Sequence, residues 1–89
     1  MRKEMKSLVK AELRNLALTT RHRLSLTQRE MAELLSMSEH SYSEIEIGKT
    51  SCGTLTTLLL IQMQDDPREF LKRIEDRIGS LYETTAKTG

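Results

Sequence analysis

With Cys52 as its single cysteine, the 89-residue chain has no partner for an internal disulfide and no thiolate cluster for a structural zinc site. That usage predicts an intracellular, cytoplasmic protein. Aromatic side chains are nearly missing: there is no Trp, one Phe and two Tyr, 3% of the chain, so any core must be built from aliphatic residues. Long apolar runs are missing too. The longest, Leu58-Leu59-Leu60-Ile61, falls far below the roughly 20 residues a membrane crossing needs, so no membrane span is expected. Glu4 and Lys6 stand where a signal peptide would be apolar, so export is not expected either. No strand pattern, internal repeat or low-complexity tract occurs. At 10.2 kDa the chain is too short for a two-domain enzyme.

A net charge of +1 conceals an asymmetry. Residues 1–24 hold seven Lys/Arg against two Asp/Glu, 25–50 hold two against five, and 51–89 hold five against six. A basic first third can meet a polyanion, or it can simply be solvated surface.

What is present is helical periodicity. From Met5 to Leu24 the positions Met5, Val9, Leu13, Leu16, Ala17, Thr20 and Leu24 recur at steps of three and four, with neither Gly nor Pro between them, which predicts one long helix. Thr27-Gln28-Arg29-Glu30 is a capping-box pattern opening a helix over about 28–36. Ser36-Met37-Ser38 forms a turn, Ser38 caps a third helix to about Ile47, and Gly48 stops it. A loop of small residues, 49–54, leads to a fourth helix over 55–64. Leu58 to Ile61 are apolar on every side, which predicts that two of its faces are buried. Asp66-Pro67-Arg68-Glu69 then opens a fifth helix to about Tyr82. Its residues Phe70, Leu71, Ile74, Ile78 and Leu81 form a stripe suited to cover the fourth helix. Residues 83–89 are expected to be a frayed, flexible tail.

Two short helices joined by a tight turn, the second closed by Gly, match the general form of a helix-turn-helix. The residues within it are Leu26-Thr27-Gln28, Met31-Ala32, Leu35, Met37-Ser38 and Tyr42-Ser43-Glu44-Ile45-Glu46-Ile47-Gly48-Lys49. Together they resemble the Cro and phage-repressor family, also called the xenobiotic-response-element type, over about residues 13–63. The resemblance implies an all-α, five-helix phage-repressor-like domain with an extended first helix and an amphipathic C-terminal helix. Residues 1–64 would be the DNA-binding domain, with the motif at about 27–47, and 65–82 a helix for packing or dimerisation.

The resemblance also implies roles. Ala32 stands where the family keeps a small side chain so that the two motif helices approach closely, with Met37 and Ile45 plugging the space beneath. Arg21 would pair with Glu46. Gln28 and Lys49 would hold DNA phosphates, with Thr27 beside Gln28 in the DNA-binding set. Ser38, Glu39, His40, Ser43 and Glu44 would line the helix that enters the major groove. Three departures from the pattern stand out. Glu39, Glu44 and Glu46 bring carboxylates close to phosphates, although Glu can accept from cytosine N4. Ser36 replaces the Gly common in the family's turn. Cationic residues after the motif are sparse beyond Lys49.

His40 is either a donor to guanine or phosphate or a solvated surface histidine. Tyr42 reads as a plug under the motif. His22 and His40 have no ligand partners at helical spacing, and no base stands beside Cys52 in sequence, so neither a metal, a cofactor nor an enzymatic activity is expected. Leu71, Ile74, Ile78 and Leu81 follow coiled-coil spacing. They form either a homodimer seam or a packing face within the monomer. The function implied is a sequence-specific DNA-binding transcriptional regulator acting as a homodimer on double-stranded DNA. The alternative is a protein-interaction or antitoxin-like module of the same fold, which binds a protein partner and DNA only weakly.

Overall fold

In the computed structural model the chain is described over residues 2–88, with side chains through Glu83. Its described residues form five α-helices and no strand: α1 (Arg2–Arg23), α2 (Gln28–Leu34), α3 (Glu39–Glu46), α4 (Thr54–Gln62) and α5 (Pro67–Thr88). The all-α architecture expected from the periodicity is therefore present. None of these helices is long and apolar enough to cross a membrane.

Local chemistry accounts for most helix ends. The capping box at the start of α2 is complete: the Glu30 N–H donates to Thr27 Oγ1 at 3.1 Å, and the Thr27 N–H donates to Glu30 Oε1 at 2.9 Å. Ser38 caps α3 by accepting from the Ser41 N–H at 3.1 Å. The first three helices share one kind of exit. Ser25, Ser36 and Gly48 each take a left-handed φ, of 55°, 56° and 81°. The next N–H then reaches back five residues, from Leu26 to Arg21 O, Met37 to Ala32 O and Lys49 to Glu44 O. Each is a Schellman closure, a geometry glycine enters most easily. In two of the three a serine adopts it, and the apolar residue that follows, Leu26 or Met37, packs against the core.

That core is small and aliphatic, as the composition requires. Leu13, Leu16 and Ala17 of α1 meet Met31, Ala32 and Leu35 around α2, Tyr42 of α3, Leu60 of α4 and Phe70 of α5. Ala32 and Ala17 are fully enclosed, and their small side chains let neighbouring helices approach closely. Thr20 is buried among them and is satisfied by Gln64, whose Nε2 donates to Thr20 Oγ1 at 2.9 Å.

Three expectations need correction. First, α4 does not bury two faces: Leu60 is enclosed, but Leu55 and Leu58 are 62% and 59% exposed. The reason is the path of α5, which also lies along α1. Arg77 Nε sits 2.8 Å and Arg73 Nε 3.6 Å from the carboxylate of Glu12, a buried residue of α1. These contacts hold α5 over α1 and leave the outer side of α4 open. Second, α4 begins at Thr54 with Gly53 as its N-cap and ends at Gln62. Third, the α5 backbone stays helical to Thr88 rather than stopping near Tyr82. No Gly or Pro interrupts residues 80–88, so nothing local forces an exit.

Candidate nucleic-acid interface

Glu46, at the C-terminal end of α3, is the joint that fixes α3 against the other helices. Its side chain is 5% exposed. Arg21 of α1 grips it at two points, Nε to Oε2 at 2.6 Å and Nη2 to Oε1 at 3.1 Å. Gln28, the first residue of α2, donates from Nε2 to Oε1 at 2.9 Å. Arg21 Nη1 also donates to Leu26 O at 3.1 Å, so the α1–α2 connection belongs to the same network. Burial pushes the Glu46 carboxyl up. The Arg21 hydrogen bonds, the neighbouring Tyr42 and Gln28 and the Arg21 charge outweigh that penalty and hold its pKa below the ordinary carboxylate value.

Tyr42 lies directly behind this joint and is fully enclosed. Its hydroxyl faces Glu46 and Arg21 but meets no hydrogen-bond partner in good geometry among the described residues. Burial, reinforced by the carboxylate, raises its pKa. The phenol is a core plug, and it stays protonated at neutral pH.

Sequence reading missed Arg14. Its Nε donates to the Glu46 carbonyl, closing the C-terminal end of α3 with a cation. The signal was available, because Arg14 stands seven residues before Arg21 and so lies on the same face of one helix. Arg23 does the equivalent for α4, donating from Nη2 to Met63 O at 2.9 Å.

With its inner side so held, α3 turns its other side outward. Tyr42, Ile45 and Glu46 are buried, whereas Glu39, His40 and Ser41 are exposed and Ser43 is half-buried. The three carboxylates on this stretch have different fates. Glu46 points inward. Glu44 is mostly covered and lies between two partners, with His40 Nε2 at 3.0 Å and the Lys49 ammonium at 3.6 Å. Glu39 alone stands exposed without a cationic neighbour among the described residues. The negative charge presented outward by α3 is therefore smaller than the sequence suggests.

The expected phosphate contacts are partly committed elsewhere. Thr27 Oγ1 and Ser38 Oγ both cap helices, and Ser38 Oγ also donates to Ser41 Oγ at 2.9 Å. Gln28 spends one amide N–H on Glu46 and keeps a second. Lys49 is exposed just past Gly48.

Of the stripe on α5, Leu71 is exposed and Phe70 belongs to the core. Ile74 packs against the core. Ile78 lines a groove with Met5, Val9, Leu13 and Cys52, and Leu81 lines another with Leu8. Ile74 therefore serves packing within the monomer, while Ile78 and Leu81 are half-buried along α1. Their partner is mainly α1, where the sequence had pointed to α4. Cys52 is half-buried in the first groove, and burial raises its thiol pKa, opposite to the activation a nucleophile needs. No three His, Cys, Asp or Glu side chains gather as a metal ion would require among the described residues.

Compared with known proteins, the chain matches no family model, and no significant similarity to a curated protein or a solved structure was found.

Proposed function

We propose that this chain is a sequence-specific DNA-binding regulator of the Cro and phage-repressor type, with α2 and α3 as its helix-turn-helix and α3 as the helix that enters the major groove. One observation carries the reading. The Arg21–Glu46–Gln28 network ties α3 to α1 and α2 while Glu39, His40 and Ser41 stand exposed on its outward side with Ser43 half-buried beside them, and a reading helix needs that combination of fixed position and accessible polar side chains. The N-terminus of α2, with Gln28 and the backbone N–H groups behind it, is suited to a backbone phosphate. Lys49 supplies a cation at the other end of α3. Action as a homodimer would double the few contacts one such domain can make.

A second reading has its own support. Leu34 on α2, Ile47 after α3 and Leu58 on α4 are all more than half exposed, an apolar content that suits a protein partner better than phosphate. In that reading the fold is kept for protein interaction and DNA affinity is weak. Selection from a random duplex pool at about 50 and 200 mM salt separates the two, because phosphate contacts make affinity fall steeply with salt. Recovery of a motif supports the regulator, and two-fold symmetry in it supports the dimer. A folded sample that enriches nothing at either salt supports the protein partner.

A further inference from the structure

The first helix carries more positive charge than the α3 joint uses. Lys3, Lys6, Lys10, Arg14, Ala17 and Arg21 succeed one another at steps of three and four, so they form one stripe along α1. Its C-terminal half is spoken for by α3. Arg21 binds the Glu46 carboxylate, Ala17 is enclosed, and Arg14 binds the Glu46 carbonyl. Just beyond, Lys10 and Arg14 share a shallow groove with Ile47 and Gly48, the exit of α3. There α3 ends and α1 continues.

The three lysines that continue the stripe carry no ion pair among the described residues. Lys3 and Lys6 are exposed, and Lys10 is half-buried. At 1.5 Å per residue they stand about 6, 12 and 16 Å beyond Arg14 along the helix axis. Lys49, which follows Gly48 at the α3 exit, is exposed but lies 3.6 Å from Glu44. Acidic neighbours elsewhere are already engaged: Glu12, on a different face of α1, is held by Arg73 and Arg77, and Glu44 lies against His40 and Lys49. A rigid row of lysines, in line with the joint that sets α3 and continuing past its end, suits an extended polyanion with regularly spaced charges.

We infer that the N-terminal half of α1 is a phosphate rail, with Lys3, Lys6 and Lys10 meeting the DNA backbone outside the base pairs read by α3. The inference rests on the DNA-binding reading above. It adds a footprint longer than the motif itself and an affinity that depends on flanking duplex of any sequence, since phosphate contacts carry no base information.

The test compares the full chain with its Lys3→Gln, Lys6→Gln, Lys10→Gln variant on the selected motif, once with long flanks and once trimmed flush. Glutamine keeps helix propensity close to that of lysine, and a thermal melt checks the fold. The Lys3→Gln, Lys6→Gln pair leaves half-buried Lys10 untouched and lowers the salt slope by about 1.8. On the long duplex, loss of three contacts lowers the slope of log affinity against log salt by about 2.7. On the trimmed duplex the two proteins converge. Equal slopes on the long duplex, with the parent chain binding tightly, overturn the rail and leave the regulator reading intact. A parent chain that binds no duplex at either length overturns the regulator reading, and the rail with it.

Discussion

Arg21 and Glu46, 25 residues apart in sequence, meet through two hydrogen bonds of 2.6 and 3.1 Å and join the end of α1 to the end of α3. Glu46 is almost wholly buried, so each charge depends on the other for its solvation. Removing either one strands its partner, which costs roughly 3–5 kcal/mol in buried pairs. Arg21→Ala and Glu46→Ala are therefore each expected to lower the melting temperature by more than about 10 °C in a domain of this size. Replacing both at once is expected to cost much less than the sum of the two. Strict additivity in a double-mutant cycle would show that the pair is not coupled.

The same joint makes stability depend on pH with a definite sign. Glu46 has its pKa lowered in the folded chain, so the unfolded chain binds a proton more readily. The stabilisation is then fully present above the ordinary carboxylate range, near pH 4.3, and is lost as pH falls through the lower folded value. Glu30, whose carboxylate accepts from the Thr27 N–H and is likewise shifted down, acts in the same direction. Urea titrations between pH 3 and 7 are expected to show stability falling steeply below about pH 4.5 in the parent chain. In Glu46→Gln the fall is shallower, with the Glu30 part remaining. Parallel curves for the two proteins would remove Glu46 from the acid response.

Three helix exits of the same geometry permit an internal comparison. Ser36 holds a left-handed φ of 56°, a conformation that costs an L-residue roughly 1–2 kcal/mol. Glycine avoids that cost but adds about 0.5–1 kcal/mol of backbone entropy. Ser36→Gly is accordingly expected to stabilise by about 0.5 kcal/mol. Gly48→Ala is expected to destabilise by about 1 kcal/mol or somewhat more. A Cβ added there would find only ordinary contact, with Arg14 Cδ at 3.7 Å, so the cost is conformational rather than steric. Denaturant midpoints moving in the same direction for both variants would contradict the shared-exit account.

The starts and ends of α2 and α3 were legible in the sequence because the chemistry that makes them is local. Thr27 with Glu30, Ser38 with the Ser41 N–H, and Gly48 after Ile47 act within a few residues. The Arg21–Glu46 pair is long-range, and it was reached through family resemblance rather than spacing. The path of α5 was not legible: its apolar stripe fits either neighbour, and the choice of α1 shows in the Glu12 contacts with Arg73 and Arg77. Arg14 was missed because its partner is a backbone carbonyl, which no side-chain pattern announces. Gln28 was read as a phosphate ligand, and its bond to Glu46 gives it a structural task as well.

On the outward side of α3, base reading and phosphate holding can be separated by substitution. Lys49 is exposed beyond the helix, so Lys49→Ala is expected to weaken binding to all duplexes alike and to lower the salt slope by about 1. Glu44→Gln keeps the shape but loses the charge that His40 and Lys49 flank, and it is expected to change which motif is selected. Loss of affinity from both substitutions with no change of motif would remove Glu44 from the groove.

Helix α5 gives the last test, because its residues divide by what they touch. Ile74 packs on the core and Ile78 faces α1, while Leu71 and Leu58 are half-exposed or more. Burying a carboxylate in an apolar site costs several kcal/mol, a large share of a small domain's stability. Ile74→Asp with Ile78→Asp is thus expected to unfold the chain, seen as lost helical circular dichroism. Leu58→Asp with Leu71→Asp is expected to leave the fold intact. If the parent chain is a dimer in sedimentation, the second pair also reports whether the outer sides of α4 and α5 form its seam. A folded, monomeric Ile74→Asp, Ile78→Asp protein would instead place those two isoleucines between subunits and contradict their packing against α1.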